Sequence, residues 1–275
     1  MKKLFATICA LMLAVSLAGC GGANPDKSAS APAGTAAQTA SGSDVAYVKD
    51  KGEMVIGYTV YEPMNYTDDS GKFVGFDTEF AEAVCEKLGV TPKFVEIDWD
   101  NKFLELDSKS IDCIWNGMTI TDEVTKNTSV TKAYVKNAQV VVMKSDKAKD
   151  YTTAESMKDL KFAAEAGSAG EKAIAENGLD GSYTAVAAQS DAMLEVMSGS
   201  VDACVIDNTM AKAMTGEGTS YAALGPVMEL TSEEYGIGFR KGSDLTEEVN
   251  GIIDTLMQDG TLDKLAETYQ LTLAK

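Results

Sequence analysis

Short apolar segments of strand length alternate along this chain with segments whose apolar residues recur at helical spacing. Helical stripes are formed by Phe80, Val84 and Leu88, and again by the apolar positions of residues 249–257. Strands are predicted at 54–58, 93–97, 111–115, 138–143, 161–165, 183–188, 201–206 and 235–239. Because strands and helices alternate with short loops between them, we expect the α/β class with mostly parallel sheets.

Polar loops follow three of the predicted strands, at 116–121, 167–170 and 207–208. In a parallel sheet such loops lie at the carboxyl ends of the strands, where ligands bind. Thr119 and Thr121 bring hydroxyl groups to the first loop, and the glycine-rich second loop leaves backbone N–H groups accessible. Each loop alone also fits an ordinary strand-to-helix turn, so the functional interpretation depends on all three.

Helix starts are predicted from side chains that can accept a hydrogen bond from the first helical turn. Asp77, Thr121 and Ser190 are each expected to be the N-cap of a helix. Gly89 is expected to end the helix that Asp77 begins, because glycine readily adopts the left-handed conformation of a helix end.

The first residues have the pattern of a secretory signal. Two lysines precede an apolar run at 4–17, which is too short to be a good membrane-spanning helix. The run ends in Leu17-Ala18-Gly19-Cys20, which resembles a bacterial lipobox. This resemblance implies that residues 1–19 are removed as a signal peptide and that Cys20 is lipidated, which would hold the protein on a membrane. The alternative is a plain secreted protein with an unmodified cysteine.

Residues 20–44 are expected to be the lipidated cysteine and a flexible linker. They are rich in Gly, Ala, Ser, Thr, Pro and Gln and have almost no apolar bulk, so they cannot form a core. Folded sequence should begin near Val45. The roughly 230 residues that remain are enough for one large domain or two small ones.

The composition is acidic, with a formal net charge of −18, no His, and Arg240 as the single arginine. Such a chain is a poor candidate for nucleic-acid binding, which needs basic patches. It also lacks the commonest general base and metal ligand, and we expect neither a metal nor a cofactor. Cys85, Cys113 and Cys204 lie in apolar patterns without CxxC spacing and are expected to be small buried residues.

Several short motifs occur in a fixed order along the chain. They are the lipobox, Gly71–Asp77, Met118–Thr121, Gly167-Ser168, Val201–Ala203 with Asp207, Tyr235–Phe239 with Lys241-Gly242, and Asp259–Thr261. In this order the motifs resemble the polar amino-acid family of bacterial extracellular solute-binding proteins, family 3, which serve ABC importers. The resemblance covers the chain from about Val45 to its end.

The resemblance implies a type II periplasmic-binding-protein-like fold with two lobes, each a mostly parallel sheet flanked by helices. The lobes would be residues 45–134 plus 235–275, and residues 138–234, and they would close on a ligand by a hinge motion. The implied function is that of a substrate-binding lipoprotein that captures an amino acid or related amine and delivers it to a membrane permease. The implied partners are ABC permease and ATPase subunits, with the protein a monomer anchored on the extracytoplasmic face of the cell membrane.

The family's contacts to the ligand amine and side chain carry over to matching residues. Tyr61 and Trp99 would form aromatic walls, although both also fit ordinary core packing. Thr119 and the carbonyl of Gly117 would contact the ligand amine, and Asn116 in the same loop is also expected to contact the ligand. The expectation is therefore a site with aromatic walls and a threonine-containing loop.

The family's contacts to charged ligand groups carry over only in part. Asp207 would bind the ammonium group, although it also fits a helix cap. The backbone N–H groups of Thr121 and Ala169 and the Ser168 hydroxyl would face a carboxylate. Where the family has the arginine that clamps the ligand α-carboxylate, this chain has Val124.

The loss of that clamp changes the expected ligand. Removing one partner of a buried charge pair costs roughly 2–5 kcal/mol, so an ordinary amino acid would bind weakly unless another group replaces the arginine. Lys126 or Lys136 could do so, although both are expected on the surface. We therefore expect a ligand with a cationic amine that need not have a free α-carboxylate, such as a biogenic amine, an amide or a small peptide-like compound.

Two other functions stay open at this point. One is an enzyme on the same fold, because some amino-acid dehydratases resemble this family. The absence of His and of a nucleophile beside a base argues against catalysis, and a carboxylate such as Glu62 or Glu165 is the remaining acid–base candidate. The other is a ligand-sensing ectodomain that signals through a separate protein. The expectation is a protein that is not an enzyme.

Overall fold

The structure is a computed structural model, and it describes residues 42–275. The expected signal peptide at 1–19, Cys20 and nearly all of the expected linker lie outside the described residues. Within the described part, no helix is both long and apolar enough to span a membrane.

Helices and strands alternate through the described chain, as the apolar pattern predicts. Helices α1 to α9 are Asp44–Lys51, Phe76–Leu88, Lys102–Asp107, Asp122–Asn127, Ala169–Glu176, Gln189–Ser198, Asn208–Met214, Leu245–Gln258 and Thr261–Thr268. Strands β1 to β14 are Glu53–Tyr58, Tyr66–Thr67, Phe73–Val74, Thr91–Glu96, Cys113–Ile114, Thr128–Val130, Val135–Asn137, Gln139–Lys144, Phe162–Glu165, Tyr183–Val186, Ala203–Asp207, Leu224–Glu229, Glu233–Tyr235 and Gly238–Arg240. Short 3-10 helices lie at Trp99–Asn101, Ala148–Asp150 and Ala154–Met157.

Two five-stranded sheets have the same plan. The first has the order β4-β1-β5-β14-β6 and the second the order β10-β9-β11-β8-β12. In the first, β1 is parallel to β4 and β5, and β14 is antiparallel to β5 and β6. In the second, β9 is parallel to β10 and β11, and β8 is antiparallel to β11 and β12. Each sheet therefore has four strands running one way and one reversed strand, which confirms the α/β class with mostly parallel sheets.

A two-stranded antiparallel ribbon of β7 and β13 lies where the chain passes between the two sheets. The chain enters the second sheet at β8 after β7 and returns to the first sheet at β14 after β13. The reversed strand of each sheet thus directly follows a crossing. The lobe boundaries given above stay a prediction.

The helix ends agree with the sequence in part. Gly89 ends α2 with a φ of 75°, and the Thr121 hydroxyl caps α4, as predicted. The N-cap of α2 is Gly75 rather than Asp77, because the Asp77 carboxylate accepts hydrogen bonds from Gly117 N and the Tyr134 hydroxyl and not from the first helical turn. Asp77 instead lies buried in the first turn.

Two further boundaries differ from the sequence prediction. Helix α6 begins at Gln189 with Ala188 as its N-cap, so Ser190 lies inside the helix. Helix α1 begins at Asp44, one residue before the expected start of the fold, and the Ser43 side chain accepts a hydrogen bond from Ala46 N. Asp44 belongs to the fold because its carboxylate pairs with a buried guanidinium.

That guanidinium belongs to Arg240, which is structural. Its Nε donates to Asp44 Oδ2 at 3.0 Å and its Nη1 donates to the carbonyl of Ile111 at 2.9 Å, with Asp112 at 3.5 Å from Nη2. The cysteines at 85, 113 and 204 are free and buried, as predicted. Burying the one arginine in this way fixes the N-terminal helix to the first sheet and removes it as a ligand contact.

Candidate ligand-binding cavity

A cavity of about 400 Å³ lies where the loop after β5 meets the loops that follow β9 and β11. It is lined by Trp99, Lys102, Asn116, Gly117, Met118, Thr119, Thr121, Glu123, Val124, Glu165, Gly167, Ser168, Ala169, Glu171, Lys172, Ala175, Gln189 and Asp207. The lining residues between 99 and 124 belong to elements beside the first sheet, and those between 165 and 207 belong to elements of the second sheet. All three polar loops singled out in the sequence therefore contribute to one cavity.

The loop after β5 is fixed by buried hydrogen bonds. Asn116 Oδ1 accepts from the backbone N and the hydroxyl of Thr59, and Asn116 Nδ2 donates to the Thr59 carbonyl and to Asn65 Oδ1. Its amide is thus fully paired within the protein, so Asn116 positions the loop although it was expected to contact the ligand. Asp77 Oδ2 accepts from Gly117 N at 2.6 Å. These contacts fix the backbone of the loop, so the cavity-lining residues that follow Gly117 are held in place.

Thr119 and Thr121 use their hydroxyl groups differently. Thr119 Oγ1 donates to Glu233 Oε1 at 2.8 Å, which connects the loop to strand β13. Thr121 Oγ1 accepts from Val124 N at 3.1 Å and so caps helix α4. The Thr121 hydroxyl is therefore occupied as a cap, and Thr121 also lines the cavity.

The loop after β9 presents a helix N-terminus to the cavity. Ser168 caps α5 by accepting a hydrogen bond from Glu171 N at 3.1 Å. Glu171 Oε2 in turn accepts from Gly167 N at 2.7 Å, so the loop is closed on itself. Ser168 and Ala169 line the cavity at the start of this helix, where backbone N–H groups favour an anionic group.

Asp207 lies at the cavity and receives several side-chain donors. Its Oδ1 accepts from Gln139 Nε2 at 2.9 Å, from the Tyr235 hydroxyl at 2.8 Å and from Asn137 Nδ2. Its Oδ2 accepts from Gln189 Nε2. Although Asp207 occupies the N-cap position of α7, its side chain makes no capping bond. The helix-cap alternative for this side chain therefore does not describe the structure.

The environment of Asp207 disfavours an unpaired negative charge. Burial is the largest cause that raises its pKa, and the nearby carboxylate of Glu233 raises it further. The hydrogen bonds from Tyr235, Gln189 and Gln139 act in the opposite direction. A positive group placed in the cavity beside Asp207 would stabilise its ionised form.

The two expected aromatic walls differ in position. Trp99 lines the cavity. Tyr61 does not line it, because its ring is 1% exposed and packs against Gly117, and its hydroxyl shares hydrogen bonds with Thr209 and Tyr235. Tyr61 is thus a buried support behind the loop in this structure, which corresponds to the core-packing alternative.

Val124 occupies the expected place of the carboxylate clamp, on the cavity wall and buried against Trp99 and its neighbours. Lys126 and Lys136, considered as replacements, are both exposed and absent from the lining. The buried cation at this cavity is Lys102, which is 5% exposed. Its Nζ donates to the carbonyls of Trp99 at 3.1 Å and Gly167 at 2.8 Å.

The sequence predictions did not include Lys102, and they named Glu165 only as an acid–base candidate and not as a ligand contact. Lys102 follows Trp99 by three residues, which places the two on the same helical face, and this spacing could have indicated it. Glu165 ends the apolar strand Phe162–Ala164, and a charged residue in such a strand is itself a signal. Among residues 42–275, no group of His, Cys, Asp or Glu is arranged to hold a metal ion.

Comparison with known proteins identifies the family. The profile of the bacterial extracellular solute-binding proteins, family 3, matches residues 54–272. The chain belongs to this family.

Individual relatives agree with this assignment. The L-cystine-binding protein TcyJ of Escherichia coli (strain K12) is 28% identical over 225 residues, which are 81% of this chain and 84% of that protein. An ancestral arginine-binding protein, solved with arginine bound, has a TM-score of 0.72 and 33% identity, covering 79% of this chain and 98% of that one. AncCDT-1, an ancestral amino acid-binding protein described as a precursor of cyclohexadienyl dehydratase, has a TM-score of 0.75 and 30% identity, covering 82% and 99%. The fold is thus the two-lobe, type II periplasmic-binding-protein-like fold.

Proposed function

We propose that this chain is the substrate-binding lipoprotein of an ABC importer, and that it captures an amino acid or a related amine-bearing compound in the cavity. The observation that carries the proposal is the position of Asp207, which ends strand β11 of the second sheet, is buried, and lines the same cavity as Thr119 and Thr121. Membership of family 3 and the amino-acid ligands named for the relatives support it.

Each part of the cavity has a proposed role. Asp207 binds the ligand ammonium, and Thr119 with the Gly117 carbonyl contacts the same amine. Trp99 packs against the ligand's carbon chain. The hydrogen bond between Lys102 and Gly167 joins elements beside the two sheets, as expected if lobes at 45–134 plus 235–275 and at 138–234 close on the ligand.

The cavity is proposed to bind the ligand carboxylate without the arginine that the family has for this contact. The backbone N–H groups of Thr121 and Ala169 and the Ser168 hydroxyl stay candidates for an anionic group. Because Val124 supplies no charge, the cavity binds a carboxylate less strongly than an arginine clamp does, unless Lys102 contributes. An amine or amide without a free carboxylate is therefore within the proposed ligand class.

Delivery to a membrane permease is proposed from the family and from the sequence of the N-terminus. A lipid on Cys20 would keep the protein beside its permease on the extracytoplasmic face of the membrane, and residues 20–44 would allow it to turn. Labelling with a radioactive fatty acid in the native bacterium, compared with a Cys20→Ala variant, tests the anchor. Release of unlabelled wild-type protein into the medium would contradict it.

One observation favours a second candidate, an enzyme on the same fold. Burial raises the pKa of Glu165 to about 8, which is in the range of a general acid near neutral pH, and AncCDT-1 is described as the precursor of an enzyme. Mass spectrometry of candidate ligands after prolonged incubation separates the two functions. Unchanged ligand supports the binding protein, and a new product supports the enzyme.

The binding function is tested by a thermal-shift screen of amino acids and amines, followed by calorimetry. A ligand that binds the folded form raises its melting temperature. The Asp207→Asn variant should lose about tenfold or more in affinity, since a charge-assisted hydrogen bond to the ammonium is lost. Asp159→Asn, at an exposed position outside the cavity, is the matched control. If no amino acid or amine raises the melting temperature, the proposed function is wrong.

A further inference from the structure

Glu165 is a buried carboxyl whose position the proposed roles do not explain. It is the last residue of strand β9, its side chain is 2% exposed, and it lines the cavity. Its Oε1 is buried and accepts no hydrogen bond within the described part of the protein. Because burying an unpaired polar atom is costly, such a group at a cavity wall points to a partner that arrives with the ligand.

Three ionisable side chains are both buried and part of the cavity wall. They are Lys102, Glu165 and Asp207, each at most 5% exposed. One positive and two negative charges leave a net charge of −1 when all are ionised. A ligand with a net charge of +1 would balance them.

The other ionisable lining residues do not change this balance in the buried part of the wall. Glu123 and Lys172 are exposed, and Lys172 pairs with Glu176. Glu171 is held by Gly167 N and by the Tyr183 hydroxyl. Glu233 lies outside the lining, but its carboxylate acts on Asp207 and adds negative potential that also favours a cationic ligand. Water screens the exposed Glu123 and Lys172, so the buried groups dominate the selection by charge.

We propose that the ligand is a basic amino acid, with its ammonium on Asp207, its carboxylate on Lys102 and its cationic side chain on Glu165. This inference rests on the proposed binding function and names the ligand class of the same cavity. Lys102 has three N–H donors, of which two bond to the carbonyls of Trp99 and Gly167, so one is left for a carboxylate oxygen. The ligand therefore keeps its carboxylate even though Val124 replaces the arginine.

Other ligand classes leave one of the three groups without a partner. A neutral amino acid pairs with Asp207 and Lys102 and leaves Glu165 buried beside an uncharged chain. A diamine pairs with both carboxyls and leaves Lys102 without an anion. Because a buried polar or charged group without a partner is costly, both classes should bind more weakly than a basic amino acid of the right length.

A change in the protonation of Glu165 on binding would be a second sign that the ligand's cationic side chain pairs with it. Burial raises the pKa of Glu165 to about 8, Asp207 and Asp191 raise it as well, and Thr59 and Lys102 act in the opposite direction. At pH 7 the group therefore holds a proton for much of the time. A cationic side chain that pairs with Glu165 must displace this proton into solution, so binding releases protons.

The experiment is calorimetric titration of the purified protein with matched ligands. L-arginine is compared with citrulline, in which an uncharged urea group replaces the guanidinium, and with agmatine, which lacks the carboxylate. L-lysine is compared with norleucine, and L-ornithine extends the series to a shorter chain. Each titration is repeated in two buffers of different ionisation enthalpy to count released protons. The variants are Glu165→Gln, which keeps the size of the side chain, and Glu217→Gln, an exposed control outside the cavity.

We expect at least one basic amino acid to bind about tenfold more tightly than its uncharged counterpart, with release of protons. In Glu165→Gln this ratio should approach one and the proton release should decrease, whereas Glu217→Gln should behave as wild type. Uncharged counterparts that bind as tightly as the basic amino acids, or a ratio unchanged in Glu165→Gln, would overturn the role of Glu165. Agmatine that binds at least as tightly as arginine would overturn the role of Lys102. Both results leave the binding function intact, whereas a failure of every amino acid and amine to bind overturns both proposals.

Discussion

Lys102 Nζ donates a hydrogen bond of 2.8 Å to the backbone carbonyl of Gly167, and this bond joins helix α3 to the loop after β9 at the cavity wall. The same ammonium lies 5.2 Å from the centre of the Trp99 ring. Burial lowers the pKa of Lys102, and Glu123 is the largest cause that acts against this effect. Lys102 thus contacts both the aromatic ring of Trp99 and the loop after β9, and it also gives the cavity wall a positive charge.

Replacing Lys102 with methionine should weaken ligand binding about tenfold or more. The change removes the bond to Gly167 and the cation at the cavity, and hydrogen bonds of a charged group contribute about 1.5–3 kcal/mol each. Calorimetry with the ligand found in the screen measures the effect. Lys126→Met is the control, because Lys126 is exposed and lies outside the cavity. Equal affinities of the two variants would contradict this role.

Installing arginine at position 124 should strengthen the binding of ligands that have an α-carboxylate. Val124 lines the cavity, and a guanidinium there can form paired hydrogen bonds with a carboxylate. The gain should be about tenfold for L-arginine and absent for agmatine, as measured by calorimetry. Val124→Met, which adds length without charge, controls for the extra volume in a packed wall. An equal change for both ligands would show that the new side chain does not reach a carboxylate.

Removing the Tyr61 hydroxyl should reduce affinity without a direct ligand contact. This hydroxyl bonds to Thr209 from the second-sheet side and to Tyr235 at 2.6 Å, so it holds the two sides of the cavity together. Tyr61→Phe should cost about 1 kcal/mol of binding free energy, or several-fold in affinity, and should shift small-angle scattering toward a larger radius. Tyr269→Phe is the matched control, because its hydroxyl bonds only to Glu79 and Gly75 within the described chain. The idea is wrong if both variants bind alike.

Stability without ligand should fall as the pH rises from about 4 to 8. Burial raises the pKa of Asp77 from 3.8 to about 7 and that of Glu165 from 4.5 to about 8, so the folded state holds protons that the unfolded state has released. Each group should lower the free energy of unfolding by up to about 1.4 kcal/mol per pH unit inside its window, and have no further effect above its raised pKa. Urea denaturation at pH 5, 6, 7 and 8 measures this slope.

The Glu165→Gln variant separates one contribution to that slope. Its unfolding free energy should change less between pH 5 and 8 than that of the wild type, because glutamine does not titrate. A variant of the exposed Glu176 should keep the wild-type slope, since no buried carboxyl is lost. Identical slopes in wild type and Glu165→Gln would show that the folded state does not retain this proton.

Features that depend on the local pattern of apolar and polar residues could be predicted from the sequence. Apolar strands such as Gln139–Lys144 are buried along nearly their whole length, and buried strands separated by helices specify an α/β fold without reference to distant residues. Thr121 was also predictable, because a cap bonds to the backbone three residues away. The three polar loops converge for the same reason, since parallel strands bring their carboxyl ends to one edge.

Features decided by distant contacts were not predictable. Asp77 fits a helix cap in sequence, but its carboxylate accepts hydrogen bonds from Gly117 N and the Tyr134 hydroxyl, 40 and 57 residues away. The Tyr61 hydroxyl shares a hydrogen bond with Thr209, 148 residues away, and its ring does not line the cavity. Lys102 and Glu165 become site residues only because the fold brings elements beside both sheets to one cavity. Side-chain direction at such positions depends on the assembled tertiary structure, which local spacing does not encode.

The order of the strands has a consequence for the folding of the chain. All strands of the second sheet lie in one continuous segment, from β8 to β12, whereas the first sheet needs β14, which comes after that segment. A chain that becomes available from its N-terminus onward, as in transfer across a membrane, therefore has every strand of the second sheet while β5 and β6 still lack the strand between them. We expect the middle of the chain to mature first, with the first sheet and the binding cavity completed only when the last forty or so residues emerge.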